Sequence, residues 1–228
     1  MKKLHLLTLL MVPSLLLTSC AKNIDKEQFL EKLNPIKEKL VVTNSDINNV
    51  HIHNSLSVVT YDYKENEYYV YHTFAIILII PYKSEEFVYK ENDKYFHIKT
   101  YTDSKKDTKT EISEEEFKSL MLIKKQTIIE QLSSPLAMID RLIDNEDDEY
   151  KSVKNSFTSG GNTLNFVSNV TKEVTNSDTN EIEEEKGKIT INFKNDLPIK
   201  YQTKVDGSTV WSYSYGNAKL NIPDNFKD

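Results

Sequence analysis

Apolar residues recur every three or four positions in two stretches of this chain and every second position in most of the rest. That pattern predicts two helical regions set among antiparallel strands. Phe29, Leu30, Leu33, Ile36 and Leu40 mark the first helix. Asp25 with Gln28 three residues on supplies its N-terminal cap, and Pro35 is expected to kink it or end its first part. Phe117, Leu120, Met121, Ile128, Ile129 and Leu132 mark the second helix, opened by the capping pair Ser113 and Glu116. Ser133-Ser134-Pro135 is expected to break it and start a further segment carrying Leu136, Ile139, Leu142 and Ile143. The acidic run Asp144 to Glu149 then stops the helix.

Between the helices the texture is β. Leu56–Tyr63 and Tyr68–Tyr71 flank Lys64 to Glu67, which reads as a hairpin turn. Phe74 to Ile80 is apolar at every position and predicts the most buried strand, ended by Pro81. Glu86–Lys90 and Lys94–Tyr101 form a second hairpin around Glu91-Asn92-Asp93. After Tyr150 the chain alternates again, through Phe157, Thr163–Val174, Ile189–Phe193, Leu197–Val205 and Trp211–Tyr215. Strict alternation gives one wet and one dry face, and Asn195-Asp196 and Asp206-Gly207 are expected tight turns. Thr175 to Lys186 is polar and acid-rich. It lacks the spaced oxygens and central glycine of a calcium loop, so a solvated hairpin tip is expected there.

Helix, strands, broken helix, strands predicts an α+β domain with one strongly curved antiparallel sheet, the helices packed on its inner face. Residues 25–228 are long enough for one such domain with a real core. The formal charge is −6, and without Lys2 and Lys3 it becomes −8, because residues 1–19 carry no acid. Nucleic acid is excluded as a partner by that balance, since its binders need a clustered basic surface. Arg141 is the only arginine, so bidentate anion recognition has a single copy to draw on. Cys20 is the only cysteine, which excludes internal disulfides and thiolate metal cages.

Cys20 also closes a distinctive leader. Lys2-Lys3 precede an apolar stretch from Leu4 to Leu17, and Leu17-Thr18-Ser19-Cys20 ends it with small residues. This segment resembles the lipobox of bacterial lipoproteins. The resemblance implies that residues 1–19 are a cleaved signal peptide, that Cys20 is acylated, and that residues 20–24 form a short lipidated tether. It further implies a location on the extracytoplasmic face of the cell membrane. A single acyl chain binds membranes marginally, whereas the two or more chains implied here give stable anchoring.

Candidate chemistry is sparse. There is no Gly-x-Ser-x-Gly elbow, no phosphate-cradling glycine loop among five glycines, and no carboxylate pair in an apolar setting. The chain therefore reads as non-enzymatic and without a cofactor. His51 and His53 share one strand face at a spacing that can ligate zinc or copper, but a third ligand from His72 or His97 would be needed. They remain weak metal candidates. Thirteen tyrosines are the stronger signal. Tyr61, Tyr63, Tyr69 and Tyr71 share a parity on facing hairpin arms, and Trp211, Tyr213 and Tyr215 line one strand. Together they are candidate linings of an apolar groove.

The chain ends Tyr213-Ser214-Tyr215-Gly216-Asn217-Ala218, then Leu220-Asn221-Ile222-Pro223. With the element order, this is similar to the close of lipoprotein-carrier (LolA/LolB-like) half-barrels. The resemblance implies a sheet wrapped round a cavity for acyl chains. The function expected is a lipid-anchored binding protein for a lipid or other apolar ligand. The alternative is a surface-displayed protein-interaction module without a ligand cavity.

Overall fold

The computed structural model describes residues 21–42, 45–55, 59–77, 80–103, 106–176, 180–205 and 208–227. The leader, Cys20 and the Asp206-Gly207 turn lie outside them. Two helices, α1 (Lys26–Val42) and α2 (Glu114–Asp144), pack on one open sheet of twelve strands. In chain order the strands are β1 (Lys22–Ile24), β2 (Asn49–Asn54), β3 (Val59–Lys64), β4 (Tyr68–Ile77), β5 (Ile80–Glu91), β6 (Lys94–Tyr101) and β7 (Thr108–Ile112). After α2 come β8 (Lys151–Gly160), β9 (Thr163–Thr175), β10 (Ile182–Lys194), β11 (Leu197–Lys204) and β12 (Thr209–Tyr215). Across the sheet the order is β1-β8-β9-β10-β11-β12-β2-β3-β4-β5-β6-β7. Every neighbouring pair is antiparallel, and the pairing of β12 with β2, Tyr215 opposite Val50, joins the two β blocks.

The caps form as their sequences require. Asp25 Oδ1 accepts from the Gln28 N–H (2.8 Å) and Ser113 Oγ from the Glu116 N–H (3.1 Å), satisfying donors left over at the helix starts. Both prolines are carried inside their helices. α2 is one continuous element of 31 residues with Pro135 buried in it, which corrects the expected break. Apolar burial on both sides of Pro135, from Leu132 to Leu136 and Ile139, holds the helix together there. Lys22–Ile24, expected to belong to a tether, pair instead with Phe157–Ser159 as an edge strand.

Two further expectations change. β4 ends at Ile77 and β5 begins at Ile80, so Pro81 lies inside a strand, opposite Ile76. β6 pairs with β5 only from Ser84 onward, so the missing Pro81 N–H sits at a ladder edge where it is tolerated. Phe74 and Ala75 are half-buried, and the side chains of the rest of the expected buried run, 76–80, lie outside the described residues. The acidic stretch is a hairpin tip only in its middle: Ile182–Lys186 pair with Thr171–Thr175, and Asn176, Asn180 and Glu181 form the tip between β9 and β10, where Asn176 N–H donates to Glu181 O (2.9 Å).

One face of the sheet carries the main core. Phe29 of α1 packs against Phe157 (4.7 Å between ring centroids) and Phe166 (5.9 Å), and Ile128, Leu132 and Ile139 of α2 are fully buried. Burying such a side chain contributes about 1.5–3 kcal/mol. The other face carries a second, smaller core that the sequence pattern does not announce. Tyr68, Val70, Phe87, Tyr89, Phe96 and Ile98 are covered by Ala218, Leu220, Ile222 and Phe226 of the C-terminal segment. Gly216, at φ +77°, turns the chain out of β12 into this strap, donating its N–H to Asn49 O (2.7 Å). Ala218 N–H then donates to Asn49 Oδ1 and Lys219 N–H to Asp62 Oδ1, each at 2.9 Å.

Candidate ligand-binding cleft

A cleft of about 700 Å³ opens where β11 and β12 reach the end of the sheet, between the β10–β11 turn and the start of β2. Leu197, Ile199, Tyr213 and Tyr215 supply its apolar and aromatic walls, with Asn49, Lys194, Asn195 and Ser214 around them. Its volume falls within the range of about 300–1,000 Å³ usual for small-molecule sites. Three depressions elsewhere among the described residues are smaller, and one of them is lined chiefly by the ion pairs Lys172–Glu149 and Lys151–Glu173.

Local geometry builds the cleft. Asn195 and Asp196 adopt positive φ, 53° and 62°, which closes the tight turn that Asn and Asp tolerate. Asn192 then pairs with Lys200 but Phe193 with Pro198, so Ile199 is the extra residue of a β-bulge. A bulge bends its strand and re-aims side chains; here the bulged residue is a cleft wall. Tyr215 hydroxyl donates to Pro198 O (2.9 Å) and ties the two walls together. Burial raises the Tyr213 phenol well above its ordinary range, so the ring meets the cleft neutral.

The seven aromatic residues expected to line one groove are divided. Tyr213 and Tyr215 line the cleft. Tyr63 and Tyr69 are buried in the main core with α2, a core to which Tyr213 also belongs, and neither lines the cleft. Tyr61 and Tyr71 meet with tilted rings (5.2 Å between centroids) and are half-buried at the margin of that core, as is Trp211. The correction has a simple cause: α2 crosses β3 and β4 and occupies the space the hairpin tyrosines would have lined. Leu197 and Ile199 carry the cleft from the facing strand, and only the alternation of β11 hinted at them.

His51, His53 and His72 lie on the strap side of the sheet, and each is engaged through Nδ1. The partners are Asp62 Oδ1 (2.9 Å), Thr60 Oγ1 (3.4 Å) and Glu85 Oε1 (2.8 Å). The hydrogen bond to Asp62 raises the His51 pKa against the opposing effect of burial. His97 faces the helix side, where its Nε2 meets Glu86 (2.8 Å). Among the described residues, no group of three or more His, Cys, Asp or Glu side chains is placed to hold a metal ion.

Glu86 is the most perturbed carboxylate. Burial pushes it up, but hydrogen bonds from His97 and from Lys124 of α2 (2.6 Å) outweigh that and hold it at about 2. Lys124 also sits over the Tyr69 ring, 4.9 Å from its centroid. A carboxylate so thoroughly paired serves as a helix–sheet clamp rather than a base.

No protein-family model matches this chain, and no curated protein matches it either.

Proposed function

We propose that this protein is a non-enzymatic binding protein, anchored through acylated Cys20 to the extracytoplasmic face of a bacterial membrane. It holds a lipid or other apolar ligand between Leu197, Ile199, Tyr213 and Tyr215. The observation that carries the reading is the open, aromatic-walled cleft of about 700 Å³ at the β11–β12 end. Sites for small apolar molecules combine such walls with a few polar groups at the mouth, and here Lys194 and Asn195 stand exposed at that mouth. The lipobox-like order Leu17-Thr18-Ser19-Cys20 supports the anchor. No described helix is long and apolar enough to cross a membrane.

Two experiments test the proposal. Labelled palmitate fed to expressing cells should be incorporated into the native protein and not into Cys20→Ala; equal incorporation refutes the anchor. Titration of residues 21–228 with NBD-labelled stearate should show saturable binding, weakened about tenfold, or about 1.4 kcal/mol, by Ile199→Glu. Identical binding in the variant refutes the cleft as the site.

A further inference from the structure

Where the anchor joins the body fixes which way the cleft points. β1 pairs antiparallel with β8, Lys22 opposite Ser159 and Ile24 opposite Phe157. The chain preceding Lys22 therefore comes from the end of the sheet occupied by the β8–β9 turn, Gly160–Thr163. That turn is joined to the β10–β11 turn: Asn195 N–H donates to Asn162 O (2.9 Å), and the Asn162 amide donates to Asn195 Oδ1. Thr163 pairs with Lys194. Lys194, Asn195 and Leu197 are in turn cleft residues. Anchor attachment, both turns and the cleft thus share one pole of the molecule.

Distances leave little freedom. Position 20 is two residues ahead of Lys22, a span of at most about 7 Å. From β1 to β11 is four strand spacings, about 19 Å across the pole. The opposite pole is remote, since Glu184 lies ten residues along β10 from Lys194, about 33 Å away. With so short a connection the body has no room to turn its far end to the surface that holds the acyl chains.

Resting on the proposed acylation of Cys20, we infer that the cleft faces the bilayer and takes its occupant directly from it. The ligand class is then a membrane-resident amphiphile with acyl chains. Its chains enter between Ile199 and Tyr213, and its head group lies by the exposed Lys194 ammonium.

The test uses the native acylated full chain in vesicles of phosphatidylcholine and phosphatidylglycerol. Acylation consumes Cys20, so Lys194→Cys or Glu184→Cys each offers one thiol for an NBD label. Spin-labelled lipid should quench the label at 194 several-fold more than the label at 184. In the same vesicles, pyrene-labelled phospholipid should lose excimer emission on adding native protein, and keep it with Ile199→Glu. Protein that floats with the vesicles but is quenched equally at both positions, or more at 184, overturns the orientation while leaving anchor and cleft intact. Oriented protein that draws no pyrene lipid overturns the bilayer as the source. Protein that does not float refutes the anchor, and this inference falls with it.

Discussion

Single residues decide how tightly the helix layer is held to the sheet. Glu86 has a folded pKa of about 2 against an ordinary 4.5, with its side chain 19 % exposed. A carboxylate depressed on folding contributes stability that is fully present above pH 4.5 and is lost as pH falls toward 2. The shift corresponds to about 3 kcal/mol. Acid titration of stability should therefore show a loss through that window, and Glu86→Gln should flatten it; an unchanged pH profile in the variant would contradict the clamp. Gly187 decides a different contact. A Cβ there would lie 2.2 Å from Val205 Cγ2 and 2.4 Å from Lys204 O. The second atom is backbone and cannot swing aside. Gly187→Ala should destabilise by about 1–3 kcal/mol in denaturant unfolding, and a neutral result would show that β11 can move outward.

At the scale of elements, the C-terminal strap is the most consequential structure. Six buried residues of β4, β5 and β6 depend on it for cover. Replacing Leu220 and Ile222 together by Ala should lower stability by about 2 kcal/mol and raise binding of a hydrophobic dye. Unaltered dye binding would mean the outer face stays covered without those side chains. This element was not legible in the sequence. Ala218, Leu220 and Ile222 alternate like a strand, but their partners stand more than a hundred residues earlier, and no local pattern names them. Local signals fared better. Tyr61 lies opposite Tyr71 and Tyr63 opposite Tyr69, as their shared parity required, and the Asn195-Asp196 turn forms where expected. Parity could not tell which of those tyrosines α2 would cover. Nor could it foresee the bulge at Ile199, which depends on a register slip between two strands. β7 escaped notice because Thr-Lys-Thr-Glu-Ile at a sheet edge carries little apolar pattern.

For the whole molecule, the sheet is open, the helices pack on one of its faces, and the cleft of β11 and β12 lies at one end of it. The proposal that this end binds an acyl-bearing molecule stands on the cleft between β11 and β12. Native mass spectrometry of residues 21–228, which lack the acylated cysteine, purified without added lipid, tests it most directly. The account predicts a bound species with the mass of an acyl lipid on the wild-type sequence, absent from Ile199→Glu that folds with the same circular dichroism. A wild-type protein of bare chain mass, or a lipid retained equally by the variant, would contradict it.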